Sequence, residues 1–229
     1  MYLLLFIFTL AISGLATLYV KGMISKYSRV PASSGYSGAQ TAQRILQARG
    51  IHDVTVLESD GMMGDHYNPL NKQLVLSTDV YRGTSTAAVG IAAHECGHAM
   101  QHQEGYAPLQ LRSMAVGATQ FSSQIVMIVP FLFLFTHIIS VYTGLMAMAI
   151  AFGVIMLFNL VTLPVEYDAS RRAKAILPEM GIIRGPGEAQ AVAKVLDAAA
   201  LTYVAAFLTS LAYFLYYLLP LLGGGNNRR

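Results

Sequence analysis

Two histidines four residues apart, with a glutamate directly after the first, stand in Ala-Ala-His-Glu-Cys-Gly-His-Ala-Met-Gln at residues 92–101. On a helix, His94 and His98 project from one face, one turn apart. Two neutral imidazoles at that spacing bind one Zn²⁺. Glu95 is turned about 100° around the axis, beside the metal rather than on it. There it is placed to act as general base toward a zinc-bound water. Catalytic zinc keeps an open position and takes three protein ligands, so the chain must supply one more. The competing reading is a buried helix whose histidines hydrogen-bond elsewhere, but that reading gives no reason for an acid between them. The small residues Ala92, Ala93, Gly97 and Ala99 leave room for a metal and a substrate.

Glu166 is the candidate third ligand, in Leu-Pro-Val-Glu-Tyr-Asp-Ala-Ser-Arg-Arg-Ala at residues 163–173. This stretch is dense in polar groups for so apolar a chain, and the sequence places it at a helix start just beyond an apolar run. A charge there is equally a plain boundary marker, but two histidines need a third ligand and the chain has few acids to offer. Asp168 is the runner-up ligand, or else an acceptor for the N–H of a ligand histidine. Peptide chemistry also needs a donor for an oxyanion; Arg171, Arg172, Tyr167, His66 and Tyr67 are the candidates, and the arginines serve equally well as topology signals. His102, one turn beyond His98, reads as a solvated histidine, and Cys96 as a small packing residue. Asp197 is placed to cap, pair or support the site.

Several elements must position these groups. Ser37 and Gln40 form a capping box for a helix over 38–49, with Gly50 as its stop. Val54, Val56 and Leu57 suggest a short strand, Gly61 and Gly64 bracket a turn, and residues 72–77 alternate as a second strand. Leu74, Val75, Leu76 and Ser77 are the candidate edge for pairing with an extended substrate. The motif helix opens near Thr84 and Ser85 and runs to Gln103, stopped by Gly105 and Pro108. Pro178, Gly181, Gly185, Pro186 and Gly187 divide residues 164–198 into two helices.

The chain has 229 residues, of which 55% are hydrophobic and 12% charged, against roughly 25% charged in a soluble domain. Such a chain cannot clothe a water-facing surface with charge, so part of it faces lipid. Residues 2–20 form an apolar run with no basic residue before it and Lys21 after it, which reads as a retained anchor rather than a cleaved signal. Residues 118–163 suffice for two spans around a turn near 137–143, and residues 199–222 for a fourth. The expected organisation is a first transmembrane helix over 1–22, a catalytic domain over 23–117, spans over 118–163, a second catalytic segment over 164–198, a last span over 199–222, and a tail over 223–229 that holds Asn226, Asn227, Arg228 and Arg229. Lys21, Lys26 and Arg29 follow the first span; Arg171, Arg172, Lys174, Arg184 and Lys194 follow the third. The positive-inside rule then puts both polar segments in the cytoplasm. The net charge is +3 and the basic residues are dispersed, which excludes a nucleic-acid partner. The single cysteine excludes an intramolecular disulfide.

In these segments the chain resembles the YugP-type membrane neutral zinc metallopeptidases of bacteria. The matching stretches are residues 65–69, 74–77, 94–102, 163–172 and 195–205, in the same order over nearly the whole chain. More distantly it resembles the HtpX-type membrane proteases, gluzincins with two His and a Glu on zinc. There the ligand Glu is followed four residues later by Asp; here that position is Ser170 and the acid is Asp168. The resemblance implies peptide-bond hydrolysis in a bacterial cytoplasmic membrane.

The expected fold is a mainly α membrane protein of about four transmembrane helices plus a small α+β zincin-like catalytic domain with a short sheet. The expected function is zinc-dependent endopeptidase action on membrane proteins or peptides near the cytoplasmic face, with one Zn²⁺ per chain. The partners are a bilayer and a peptide substrate. A non-catalytic metal-binding scaffold is the rival from another class, and its cheapest sign would be loss of Glu95. A metal transporter would want ionisable residues inside the spans, where His137, at the expected outer turn, is the obvious one.

Overall fold

Seven helices and three strands are formed by the residues that this computed structural model describes: 2–60, 64–136 and 139–223. The turn residue Gly61, His137 and the tail Asn226, Asn227, Arg228 and Arg229 lie outside them. In chain order the elements are α1 (Tyr2–Tyr27), α2 (Gly38–Ala48), β1 (Thr55–Ser59), β2 (His66–Asn68), β3 (Gln73–Ser77), α3 (Thr78–Arg82), α4 (Thr86–Gln103), α5 (Ala107–Thr136), α6 (Val141–Glu179) and α7 (Pro186–Gly223). They divide into two compact units. One holds residues 1–15, 111–163 and 203–229; the other holds 16–110 and 164–202.

In the second unit, local chemistry sets the helix ends. Ser37 accepts from the Gln40 N–H and the Gln40 side chain answers on the Ser37 N–H, a reciprocal capping box. Gly50, at φ +68°, ends the helix in the left-handed region. The helix buries Ala42, Ile45 and Leu46. α4 opens on Ser85, which accepts from the Ala88 N–H, and nearly all its residues are buried. A helix covered on every face is a core element, and α4 is the one around which this unit packs. Ala92, Ala93 and Cys96 lie in a core shared with Ile45, Leu74, Leu76, Ile176, Leu177 and Val192.

The sheet runs β1-β3-β2, with β1 parallel and β2 antiparallel to β3. β3 is therefore the central strand, which corrects the expectation that Leu74–Ser77 offers a free edge. Val75 pairs with Leu57 on one side and His66 on the other, and Ser77 donates both its N–H and its hydroxyl to Asp65, at 2.7 and 2.9 Å. The backbone groups a substrate strand would need are already used. β2 is an edge strand beside β3, and neither it nor α3 had a signal in the sequence.

The other unit is built from parts of four helices. α1, α5, α6 and α7 are each long and apolar enough to cross a membrane. Their apolar side chains are largely exposed, as at Leu4 (72%) and Met127 (71%), which in water would be untenable and in lipid is neutral. Polar groups inside this unit pair with one another: Thr9 with Tyr213, and Asn159 Nδ2 with Ala206 O and Ser210 Oγ at 3.2 and 3.1 Å. The expected breaks between spans and polar helices are absent. α6 runs unbroken through Pro164, so Glu166 lies well inside a helix rather than at its start, and Pro108 begins α5 instead of merely ending α4. In a first turn proline's missing N–H costs nothing.

Candidate metal centre

His94 and His98 leave α4 on the face that meets α6, where Glu166 leaves the opposing helix. Glu166 Oε2 lies 3.2 Å from His94 Nε2 and 3.6 Å from His98 Nε2. The three ligand atoms all fall within 4.8 Å of one another. A tetrahedral zinc with bonds near 2.0–2.2 Å sets its ligand atoms roughly 3.3–3.5 Å apart, close to the two contacts found. Glu166 is 3% exposed, and an ionised carboxylate so deeply buried costs several kcal/mol unless positive charge faces it. Burial drives its pKa up, but hydrogen bonds from His94 and His98 and their charge outweigh it and hold the carboxyl well below its usual range. Burial drives His98 down, and Glu166, the Glu95 charge and Gln101 reverse this and raise it. The pocket is thus built to keep Glu166 anionic and to attract a cation, and a divalent ion fits the donor set.

The far side of each imidazole is also occupied. His98 Nδ1 is 3.0 Å from Gln101 Oε1, and His94 Nδ1 is 3.1 Å from Ser170 Oγ. Gln101, fully buried, donates from Nε2 to Val165 O at 2.8 Å and to Asp168 Oδ2 at 3.0 Å. Asp168 also accepts from Arg171 and, at 2.6 Å, from Arg172 Nε, and Arg172 reaches Glu104 at 2.6 Å. Burial pushes Asp168 up, and the bonds from Gln101 and the two arginines outweigh it and lower its pKa. Glu95, on α4 between the two histidines, is buried at 7% exposure.

Helix packing makes this meeting possible. A Cβ on Gly97 would lie 2.7 Å from Ala169 O and 2.9 Å from Ala169 Cα. Only glycine lets the α6 backbone come this near α4. Gly97 therefore makes room for a helix and Ala92 and Ala93 fill the core, whereas Ala99 lines a cavity with His102; for Gly97, Ala92 and Ala93 the expectation of space for metal and substrate is corrected here.

A family described as "Putative neutral zinc metallopeptidase" matches residues 2–221. The chain belongs to this family. It is 45% identical over 224 residues to the "Putative membrane protease YugP" of Bacillus subtilis (strain 168), which covers 96% of this chain and 98% of that relative. No solved structure matches it.

In this member of the family, the structure brings His94, His98 and Glu166 together, with Asp168 one residue removed from His98 through Gln101. Ser170, four residues after Glu166, faces His94 directly. The two polar positions of α6 thus serve different histidines. Arg171 and Arg172 are engaged with Asp168. His66 Nδ1 turns to Gly64 O at 2.9 Å. The Tyr67 hydroxyl meets His102 Nδ1 at 2.8 Å, and burial with the nearby Asp53 charge pushes Tyr67 up to about 12. That pair lines a cavity of about 550 Å³ with His52, Asp53 and Lys72. Cys96 is fully buried, its thiol 3.7 Å from Ala42 O, so it packs. Asp197 pairs with Lys174. The residue that sequence reasoning passed over is Gln101. Its signal was its place three residues after His98, the neighbouring position on a helix face.

Proposed function

We propose that this chain is a gluzincin-type endopeptidase of the membrane, holding one zinc per chain on His94, His98 and Glu166. It hydrolyses peptide bonds of membrane proteins or peptides near the cytoplasmic face. The observation that carries the reading is the convergence of those three ligand atoms beside a buried Glu95. Zinc held there supplies a Lewis acid that polarises a scissile carbonyl and makes water nucleophilic at neutral pH. Glu95 takes the proton of the attacking water on its carboxylate and delivers it to the leaving amine nitrogen. Its burial strips away competing water and keeps the proton where the bond breaks. Ser170 engages His94 Nδ1 and Gln101 engages His98 Nδ1, which leaves both Nε2 atoms facing Glu166 and the metal position.

The packing of a three-stranded sheet beside the motif helix supports a zincin-like reading. β2 has β3 as its one strand neighbour and joins α4 through Tyr67 and His102. Its outer edge, rather than β3, is the strand placed to pair with an extended substrate. The cytoplasmic side is supported by Lys21, Lys26 and Arg29 after the first span and by Arg171, Arg172, Lys174, Arg184 and Lys194 after the third.

The test compares purified wild type with Glu95→Gln for zinc content and casein hydrolysis. One zinc in each, with cleavage by wild type alone, is the expected result. Zinc in both and cleavage by neither, on casein or on membrane-protein substrates, favours a metal-binding scaffold. A wild type that holds no zinc removes the central assignment.

A further inference from the structure

We propose that Gln101 is the positioning residue of the metal centre, locking His98 in one tautomer and tying α6 to α4 at the ligand level; this rests on the zinc site described above. The argument starts from an amide whose two ends have different needs. The Gln101 side chain is fully buried, and its nitrogen faces two groups that can only accept, the Val165 carbonyl at 2.8 Å and the Asp168 carboxylate at 3.0 Å. An oxygen placed there would meet two oxygens, so the amide has one orientation. Oε1 then faces His98 Nδ1 at 3.0 Å, and an amide oxygen only accepts. The Nδ1 atom must carry a proton, which leaves Nε2 as the nitrogen that faces Glu166 and the metal position. His94 has no such lock, because the Ser170 hydroxyl can donate or accept.

The same side chain acts on a second ligand. Val165 directly precedes Glu166, so the bond to its carbonyl fixes the turn of α6 that presents the carboxylate. One buried amide therefore orients the imidazole of one ligand and the backbone of another. Asp168 in turn is held by Arg172, which is held by Glu104 just after α4. The bond network starts on α4, crosses to α6 and returns to the end of α4.

The test uses the full-length protein in detergent, with ¹⁵N-histidine labelling and zinc affinity from chelator competition. In zinc-loaded wild type, His98, assigned by its loss in His98→Asn, should show the Nδ1–H tautomer. Gln101→Met keeps the volume and removes the acceptor. It should bind zinc roughly 10–100-fold more weakly, as loss of a ligand's hydrogen-bond partner does, and should lose the single-tautomer signal. Gln101→Glu with Asp168→Asn restores an acceptor for His98 and a donor–acceptor pair between positions 101 and 168 but no donor for Val165 O, and should recover the single-tautomer signal with only part of that affinity. Wild-type zinc affinity in Gln101→Met overturns the proposal, and so does an Nε2–H tautomer in wild type, a result independent of whether any variant folds. A wild type with no zinc affinity instead strikes at the metal centre itself.

Discussion

Ser170 and Gln101 share the two imidazoles between them, and the difference in their chemistry separates two predictions. A hydroxyl supports His94 in either tautomer, whereas the amide dictates one at His98. Ser170→Ala should therefore weaken zinc binding by about 10-fold, the low end for loss of such a partner, while leaving the His98 signal in ¹⁵N spectra unmoved. An unchanged chelator-competition affinity would show that the hydroxyl contributes nothing to His94. The second prediction concerns pH. His98 is raised above its ordinary 6.5, so in the metal-free protein its contribution to stability is complete below 6.5 and disappears as pH rises through its folded value. Glu166 is lowered from 4.5, so its contribution is present above 4.5 and disappears as pH falls through its folded value. Between those limits a proton on His98 stands where zinc would. Zinc must displace it, so affinity should drop steeply as pH falls through the raised His98 value. Zinc uptake should also release protons, measurable by calorimetry in buffers of different ionisation enthalpy. A flat affinity from pH 8 to 5.5 would contradict this.

At the scale of elements, the site exists because α4 and α6 touch at backbone distance. Gly97→Ala puts a methyl 2.7 Å from Ala169 O, far inside the roughly 3.5–4 Å of a relaxed contact. Backbone has nowhere to go except apart. The expected cost is about 1–3 kcal/mol together with loss of zinc, because Glu166 retreats with α6. Gly90→Ala is the control: its Cβ would meet the Val192 side chain at 3.3 Å rather than backbone at 2.7 Å, a much smaller overlap. It should lower Tm less and keep zinc, and equal zinc loss in both variants would refute the packing argument. The same contrast explains what could be read from the chain alone. The motif helix, its Ser85 cap, the Ser37 box and the two histidines are local, set within one or two turns, and were legible. Glu166 was legible because few acids were available to complete the ligand set. The place of β3 was not, because strand order depends on residues 66–68, too short a run to show a period. Gln101 was not, because its partners Val165 and Asp168 are 64 and 67 residues away. The continuity of α6 was hidden by Pro164, which normally argues for a break; in a helix of 39 residues the one lost bond did not end it.

The whole molecule divides its chemistry as it divides its composition. Residues 16–110 and 164–202 carry the candidate metal ligands and the ion pairs named above, while the described helices of the other unit expose apolar side chains and pair Thr9 with Tyr213 and Asn159 with Ser210. In lipid there is no hydrophobic drive between helices, so such bonds and close packing hold the bundle together. Asn159 is the clearest case, because one amide nitrogen serves both Ala206 O and Ser210 Oγ on α7. Intramembrane side-chain bonds average about 0.6 kcal/mol and reach about 1.7. Asn159→Leu, which replaces the amide with an apolar group of similar size, should therefore lower stability by no more than about 1.7 kcal/mol. Ser210 loses little with it, since its hydroxyl already donates to Ala206 O and Phe207 O within its own helix. Zinc affinity should stay at the wild-type value, because no ligand or ligand partner lies in that unit. Thermal unfolding in detergent with a parallel zinc titration checks both halves. A small Tm shift with intact zinc binding identifies Asn159 as an adhesive between spans. A collapse of zinc binding would mean that the apolar bundle governs the geometry of the metal centre, and that Gln101 and Gly97 do not set it by themselves.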